Sequence, residues 1–304
     1  MSNDPFSDIL RLTEADSVIS GAFVAGGRWA LAFPPPGKLK FSAIARGGCW
    51  LRVDKSSVRL EQGDVVLMPG RSPFVMASDL KVPAKDAYKQ LANKRNGLTE
   101  IGTGSETAIV SGSVSLHPSC GSLLFDVLPS LVHIRSSSPY AAALRWIVEQ
   151  IFFERLSTAP GADVAAAQLA QLLFVQLLRA HAASQDAMRA GWMRAISDPK
   201  IAPALQLMHG DPKRTWRLEE LAKAAGMSRT SFAVHFKEVA GVAPVEYLAE
   251  WRMRLAQRML REDGRAVAEV ADALGYTSES AFSTAFKRIV GMPPRNYRVA
   301  RSDL

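Results

Sequence analysis

LAKAAGMSRTSFAVHFKEVAGVAPVEYL, from Leu221 to Leu248, and VADALGYTSESAFSTAFKRIVGMPPRNYR, from Val270 to Arg298, are two copies of one pattern. Ala222 and Gly226 correspond to Ala271 and Gly275 at an offset of 49, while Phe232, Phe236, Gly241, Pro244 and Tyr247 correspond to Phe282, Phe286, Gly291, Pro294 and Tyr297 at 50. One residue is therefore inserted in the turn of the second copy. Each copy holds the parts of a helix-turn-helix: a short helix with small residues, a glycine that allows a turn with positive φ, a hydroxyl N-cap and a second amphipathic helix. Ser228 and Thr277 are the expected caps. Phe232, Phe236 and Val239, like Phe282, Phe286 and Ile289, recur at i, i+4, i+7, so one face of each second helix is expected in the core.

The opposite faces are left to read a partner. In the first copy that face presents Arg229, Thr230, Ala233, Val234 and Lys237; in the second it presents Glu279, Ser280, Ser283, Thr284 and Lys287. A stripe of this kind on one helix is usually only a solvated surface. The duplication gives it weight, because PVEYLAEWRMRLAQRML (Pro244–Leu260) between the copies reads as one helix with Leu248, Leu255 and Met259 facing inward. Such a strut can hold two second helices about 34 Å apart, one DNA turn, so that both enter successive major grooves of one duplex. Lys237, Lys287, Arg288, Arg295 and Arg298 are the expected phosphate contacts, with the cap positions Ser228 and Thr277 beside them, and the other face residues are candidate base readers. Ala233 and Val234 can meet thymine methyl groups and Glu279 can accept from a cytosine amino group.

From Trp192 to Arg298 the chain resembles the AraC/XylS family of transcription regulators. The resemblance is carried by W-x-L-x-x-L-A at Trp216–Ala222, by the Phe-Lys steps at 236–237 and 286–287, and by G-x-x-P-x-x-Y-R from Gly291 to Arg298. The preceding GWMRAISDPKIAPALQLMHGDP (Gly191–Pro212) looks like the approach to that domain, with His209 as a structural residue. Val234 and Thr284 depart from the family, which commonly places a basic residue at these sites. The resemblance implies double-stranded DNA as partner and a small-molecule effector, with RNA polymerase as a further candidate partner.

The first part of the chain is written differently. Between Trp29 and Ile134, short β-type runs such as WALAF, KFSAIAR, CWLRVD, VRLEQGDVVLMPG and TAIVSGSVSL alternate with turn residues, as in a barrel or sandwich. Lys81–Gly97 is expected as a solvated polar loop. FSAIARGGCWLRVD (Phe41–Asp54) and LEQGDVVLMPG (Leu60–Gly70) are similar to the cupin-type barrel that precedes the DNA-binding domain in one branch of the AraC regulators. Catalytic cupins hold a metal with a His-x-His pair, but the corresponding strand here reads Phe41, Ser42, Ala43, Ile44. The resemblance thus implies a sensor without metal or other cofactor, not an enzyme. Trp29, Phe41, Trp50, Arg52 and His117 are the candidate effector contacts of its interior.

Between these parts, AALRWIVEQIFFERL and VAAAQLAQLLFVQLLRAH imply two helices between Pro139 and Ser184. Leu169, Leu172, Leu173, Val175, Gln176 and Leu177 leave the second apolar around nearly its whole circumference. It is either sandwiched within its own chain or forms the seam of a homodimer. The expected fold is α+β and multidomain: residues 1–136 a cupin-like all-β barrel, 137–190 a helical connector that dimerises, and 191–304 an all-α domain with two helix-turn-helix units joined by a long helix.

The totals agree with this organisation. A chain of 304 residues has room for about two domains, and a formal charge of +8 suits a polyanionic partner. The opening MSNDPFSDIL lacks a basic segment followed by an apolar one, and no apolar run approaches the ~18 residues of a membrane span, so a cytoplasmic protein is expected. Cys49 and Cys120 lack the CxxC spacing or His cluster of a disulfide framework or a structural zinc site, and nothing in the sequence activates the Cys49 thiol. The competing classes are a cupin enzyme with an accessory DNA domain and an architectural DNA binder. Bound metal would mark the first and indifference to DNA sequence the second.

Overall fold

The computed structural model describes residues 4–92, 98–117, 121, 124–125, 127–184, 191–262 and 265–299. The chain forms two compact units, each assembled from separate segments: residues 15–116 with 128–184, and residues 1–14 with 117–127 and 185–304. The helical stretch expected as a connector thus belongs to the β-rich unit, and the first fourteen residues belong to the helix-turn-helix unit.

The β-rich unit contains β1 (Asp16–Gly26), β2 (Ala30–Phe33), β3 (Leu39–Arg46), β4 (Gly48–Val53), β5 (Ser56–Glu61), β6 (Val65–Met68), β7 (Phe74–Ala77), β8 (Lys85–Asp86), β9 (Thr99–Gly102), β10 (Thr107–Ser115) and β11 (Val132–Ile134). Among the described residues they pair as two sheets, β11-β6-β3-β10-β1-β9 and β5-β4-β7-β2-β8. Alternate residues of a strand face opposite sides. Phe23, Ile44, Val66 and Ile109 of the first sheet accordingly share one core with Leu31, Leu51, Phe74 and Met76 of the second.

The other face of the six-stranded sheet is covered by the helices Ala141–Leu156 and Ala162–Ala183, which pack on β1, β3, β10 and β11. Phe41, fully buried, lies on that covered side. Its cross-strand partner is Gly112, where any Cβ would fall on the Phe41 ring. In the second helix Leu173, Phe174, Leu177 and Leu178 are buried, whereas Leu172 is exposed together with Val164. The inner strands are tied to the chain that follows them by Asp64, whose carboxylate accepts from Ser136 N–H (2.8 Å), from Glu61 N–H (3.1 Å) and from His133 Nε2 (2.8 Å). Burial pushes this carboxyl up, but the hydrogen bonds from Ser136, His133 and Glu61 outweigh it and hold the group below its ordinary range.

The helical unit begins with Pro5–Thr13, a helix capped by Asp4, whose carboxylate accepts from Phe6 N–H at 3.1 Å. Ile9 and Leu12 bury its apolar side against the helices Trp192–Ser197, Ala202–Gly210 and Pro244–Glu262. Asp8 comes with them and lies 3.8 Å from His209 Nδ1. The His209 ring stacks on Trp251 at 3.9 Å and its Nε2 is 2.9 Å from the Tyr247 hydroxyl. Burial lowers the His209 pKa, with Asp8 working in the opposite direction. His209 is thus a core residue that joins the approach segment to the strut.

Candidate nucleic-acid interface and ligand cavity

The repeat in the sequence becomes a repeat in space. The first helices, Leu218–Ala224 and Val267–Ala273, are of equal length, and each is entered by a glutamate that reaches back to the backbone: Glu220 accepts from Arg217 N–H (2.9 Å) and Glu269 from Ala266 N–H (3.2 Å). Gly226 and Gly275 turn the chain at φ +63° and +77°, a region that L side chains avoid. The second helices, Arg229–Ala240 and Glu279–Val290, have twelve residues each. Ring centroids in Phe232–Phe236–Tyr247 lie 5.5 and 5.7 Å apart, and those in Phe282–Phe286–Tyr297 lie 5.6 and 5.6 Å apart.

Two details differ from the sequence expectation. The N-cap of the second copy is Ser278, not Thr277: the Ser278 hydroxyl accepts from Ala281 N–H at 3.1 Å, as Ser228 accepts from Ser231 N–H at 3.2 Å. The extra residue of the second turn precedes the cap, so the cap keeps the 50-residue offset of the helix it opens. Ile289, expected in the core beside Phe282 and Phe286, is exposed, whereas its counterpart Val239 is buried.

The strut Pro244–Glu262 runs unbroken and packs on helices of both copies. Leu248 and Leu255 are buried as expected, while Met259 is half-buried and Leu260 takes the inward place. Arg252 on this helix fixes the approach to the first copy, donating from Nε to Pro212 O (2.7 Å) and from Nη2 to Arg214 O (3.0 Å). Its guanidinium also lies over the Tyr276 ring of the second copy at 5.7 Å.

On the free faces Arg229, Thr230, Val234, Ser280 and Thr284 are exposed, and Ala233, Ser283 and Glu279 are half-buried. Val234, 54 % exposed, is a large apolar side chain offered to the outside of a helix without a partner within the unit. Arg229 pairs with Glu219 at 3.1 Å, Glu279 with Arg295 at 2.8 Å, and the Thr284 hydroxyl donates to Ser280 O at 3.0 Å. Ser228, Lys237, Thr277, Lys287, Arg288, Arg295 and Arg298 are all exposed around these faces.

The β-rich unit contains a cavity of about 490 Å³ between its sheets. Its floor is the inner side of β3, β10 and β1, with Lys40, Ser111, Ser113 and Ser20; its wall is Phe23, Phe33 and Phe74 with Tyr88 and Leu91. The Phe33 and Phe74 rings stack at 4.5 Å. Tyr88 and Leu91 come from a helix, Ala87–Leu91, inside the segment expected to be a solvated loop, of which residues 93–97 lie outside the described residues. None of the five residues singled out from the sequence lines this cavity. Trp29 is core, edge-on to Phe23; Phe41 faces the covered side of its sheet; Trp50 lies under the Arg59 guanidinium; Arg52 is exposed. His117 belongs to the helical unit, with Nδ1 3.2 Å from Arg261 Nη1. Cys49 is buried in the sheet core, where burial pushes its thiol up to about 12, far from the thiolate form; Cys120 lies outside the described residues.

Comparison with known proteins agrees with the two-part organisation. A cupin family model matches residues 4–183 and a helix-turn-helix domain model residues 221–300. An AraC-like transcription regulator of Streptomyces antibioticus is 37% identical over 97% of this chain and 98% of its own length. The HTH-type transcriptional regulator AlkR of Acinetobacter baylyi is 31% identical over 90% of this chain and 91% of its own. Among solved structures, the DNA-binding domain of the global transcriptional factor AdpA, in complex with a target DNA, is 31% identical over 35% of this chain and 96% of its own, with a TM-score of 0.34. The chain belongs to the AraC-type transcription regulators, in the branch that carries a cupin region ahead of its two helix-turn-helix units.

Proposed function

We propose that this chain is an effector-responsive regulator that reads DNA with both helix-turn-helix units at once. The observation that carries the reading is the spatial repeat: two matched second helices, each with a free outer face, fixed by one strut that packs on helices of both copies. In this reading Arg229, Thr230, Ala233, Val234, Glu279, Ser280, Ser283 and Thr284 face base edges, and the glutamate and arginine of the Glu279–Arg295 pair part to meet their DNA partners. Ser228, Thr277, Lys237, Lys287, Arg288, Arg295 and Arg298 meet phosphates. Val234 supplies an apolar contact to a thymine methyl. The protein acts in the cytoplasm and no catalysis is assigned to it, since the strand that carries the metal pair in catalytic cupins reads Phe41, Ser42, Ala43, Ile44 here.

Residues 137–190 serve as the homodimer seam. Trp146, Phe153 and Leu156 on the helix Ala141–Leu156, with Val164 and Leu172 on the next, make an exposed apolar stripe. Effector binding in residues 1–136 then changes DNA occupancy through residues 191–304, with contact to RNA polymerase as a later step.

The test is binding of the full-length protein to a duplex selected from a random pool, measured against salt. Affinity falls steeply with salt, and Lys287→Ala or Arg288→Ala lowers the log–log slope by about one each. Thr284→Ala instead changes which bases are preferred. Equal affinity for selected and random duplexes would refute sequence-specific reading.

A further inference from the structure

Interior positions between two packed sheets are ordinarily apolar, because a polar group there loses water without gaining a partner. Strands β3 and β10 obey this rule at one end and break it at the other. Inward residues run from Ile44 through Ser42 to Lys40 on β3, and from Ile109 through Ser111 to Ser113 on β10. Lys40 stands directly across from Ser113, and Ser42 from Ser111, their hydroxyls 2.9 Å apart. The polar end therefore consists of the Lys40 ammonium and a row of hydroxyls on adjacent strands, and the exposed Lys38 also lines the cavity. Facing it are aromatic rings, the stacked Phe33 and Phe74 with Tyr88 beyond them.

Among the described residues the Lys40 ammonium has neither a carboxylate partner nor a hydrogen bond. Burial lowers its pKa to about 8, so at neutral pH the group is still mostly an ammonium, held in a setting that disfavours the charge. An anion placed beside it relieves that cost, and the hydroxyls of Ser111 and Ser113 can donate to the same anion's oxygens. Lys38 is exposed, so water screens its charge and Lys40 is the ammonium short of a counter-charge; one such group neutralises one negative charge, which suits a carboxylate better than a phosphate dianion. The flat aromatic wall favours an aromatic body, since rings gain from offset or edge contacts beyond the area they bury. The cavity, at about 490 Å³, falls within the size range of small-molecule sites.

We propose that the cavity between the two sheets binds an aromatic carboxylic acid, its carboxylate on Lys40 and the Ser111–Ser113 hydroxyls and its ring against Phe33, Phe74 and Tyr88. This rests on the effector-responsive reading above and supplies the chemical class of its effector.

Calorimetric titration of the full-length protein with benzoate, phenylacetate and 4-phenylbutyrate tests it, with the corresponding amides and hexanoate as comparators. At least one aromatic acid binds at least tenfold more tightly than its amide and than hexanoate. Lys40→Met abolishes the preference for acid over amide, and Lys40→Arg retains it. Circular dichroism checks that both variants are folded, and the acid-to-amide ratio in the unaltered protein stands without any variant. Amides that bind as well as acids, hexanoate that binds as well as the aromatic acids, or no binding of any acid at millimolar concentration would each overturn the proposal. The same samples are titrated with the selected duplex. An aromatic acid that binds through Lys40 and leaves DNA affinity unchanged keeps the ligand assignment and removes the effector role. DNA binding with no acid binding removes the ligand assignment alone.

Discussion

Replacing Ser278 by alanine removes the side-chain oxygen that accepts from Ala281 N–H at the start of the second copy's outer helix. The four first N–H groups of a helix have no acceptor within it, and a hydroxyl cap satisfies one of them at ~1 kcal/mol. Ser278 is exposed, so water partly replaces the lost acceptor and the full penalty of a buried orphan does not apply. An effect of about 1 kcal/mol follows, equal to a fall of roughly 2–4 °C in the melting temperature of a unit of this size. Locally it means about fivefold faster hydrogen exchange at Ala281 if that amide exchanges by fraying of the first turn. Thr277→Ala, one residue away and without a capping bond, stays within about 0.5 kcal/mol of the unaltered protein. Ser228→Ala in the first copy matches Ser278→Ala, because each hydroxyl accepts from the N–H three residues on, at 3.2 and 3.1 Å. The assay is urea unfolding of the full-length chain, combined with exchange measured amide by amide. If Thr277→Ala costs as much as Ser278→Ala, or if Ser278→Ala has no effect, then Ser278 is not the cap and the extra residue of the second turn does not precede it.

Other expected outcomes follow from buried polar groups and close packing. Because burial keeps His209 neutral when folded, its unfolded form takes up protons first. The helical unit is therefore at full stability above pH ~6.5 and loses stability as the pH falls below it, a slope seen by hydrogen exchange and absent in His209→Leu. Asp64 has the opposite ionic form but the same direction: its depressed pKa stabilises the β-rich unit above pH ~4, and that stability is lost as acid protonates the folded carboxylate. Asp64→Asn removes that acid slope in a denaturation series and costs about 1–3 kcal/mol at neutral pH. Gly112→Ala drives a methyl group into the Phe41 ring and costs about 1–3 kcal/mol, part of which a simultaneous Phe41→Leu recovers in a double-mutant cycle.

The helix-turn-helix units were legible because two independent signals coincide in them, a 3.6-residue apolar period and a repeat whose glycines and aromatics recur in register. The cap of the second copy was misplaced because Gly275 keeps one offset and Ser278 the other, and sequence alone does not say on which side of the cap the extra residue falls. Ile289 keeps the apolar period yet lies outside, since periodicity marks a face and not the extent of the neighbour that covers it. The helix Pro5–Thr13 and the strand Asp16–Gly26 were missed; in the strand, a register shift between Ile19 and Gly21 breaks the alternation. The ligand cavity was the least legible element. Aromatic residues drew attention as ligand contacts, but the side of the sheet on which Phe41 or Lys40 lies depends on strand pairing. Tyr88 and Leu91, three apart on one short helix, were the local sign that Lys81–Gly97 is more than a loop.

The order in which the chain is threaded has its own consequence. Residues 1–14 and 117–127 are folded into the same unit as residues 185–304, while everything between them belongs to the β-rich unit. No single cut separates the two. A fragment beginning at residue 185 lacks the helix that carries Ile9 and Leu12, and its core around His209 is left open on that side. On the ribosome the helix Pro5–Thr13 emerges well before the helices within residues 192–262 on which it packs. The β-rich unit is therefore the earlier of the two to complete, and the DNA-reading part closes last, when Asp8 meets His209.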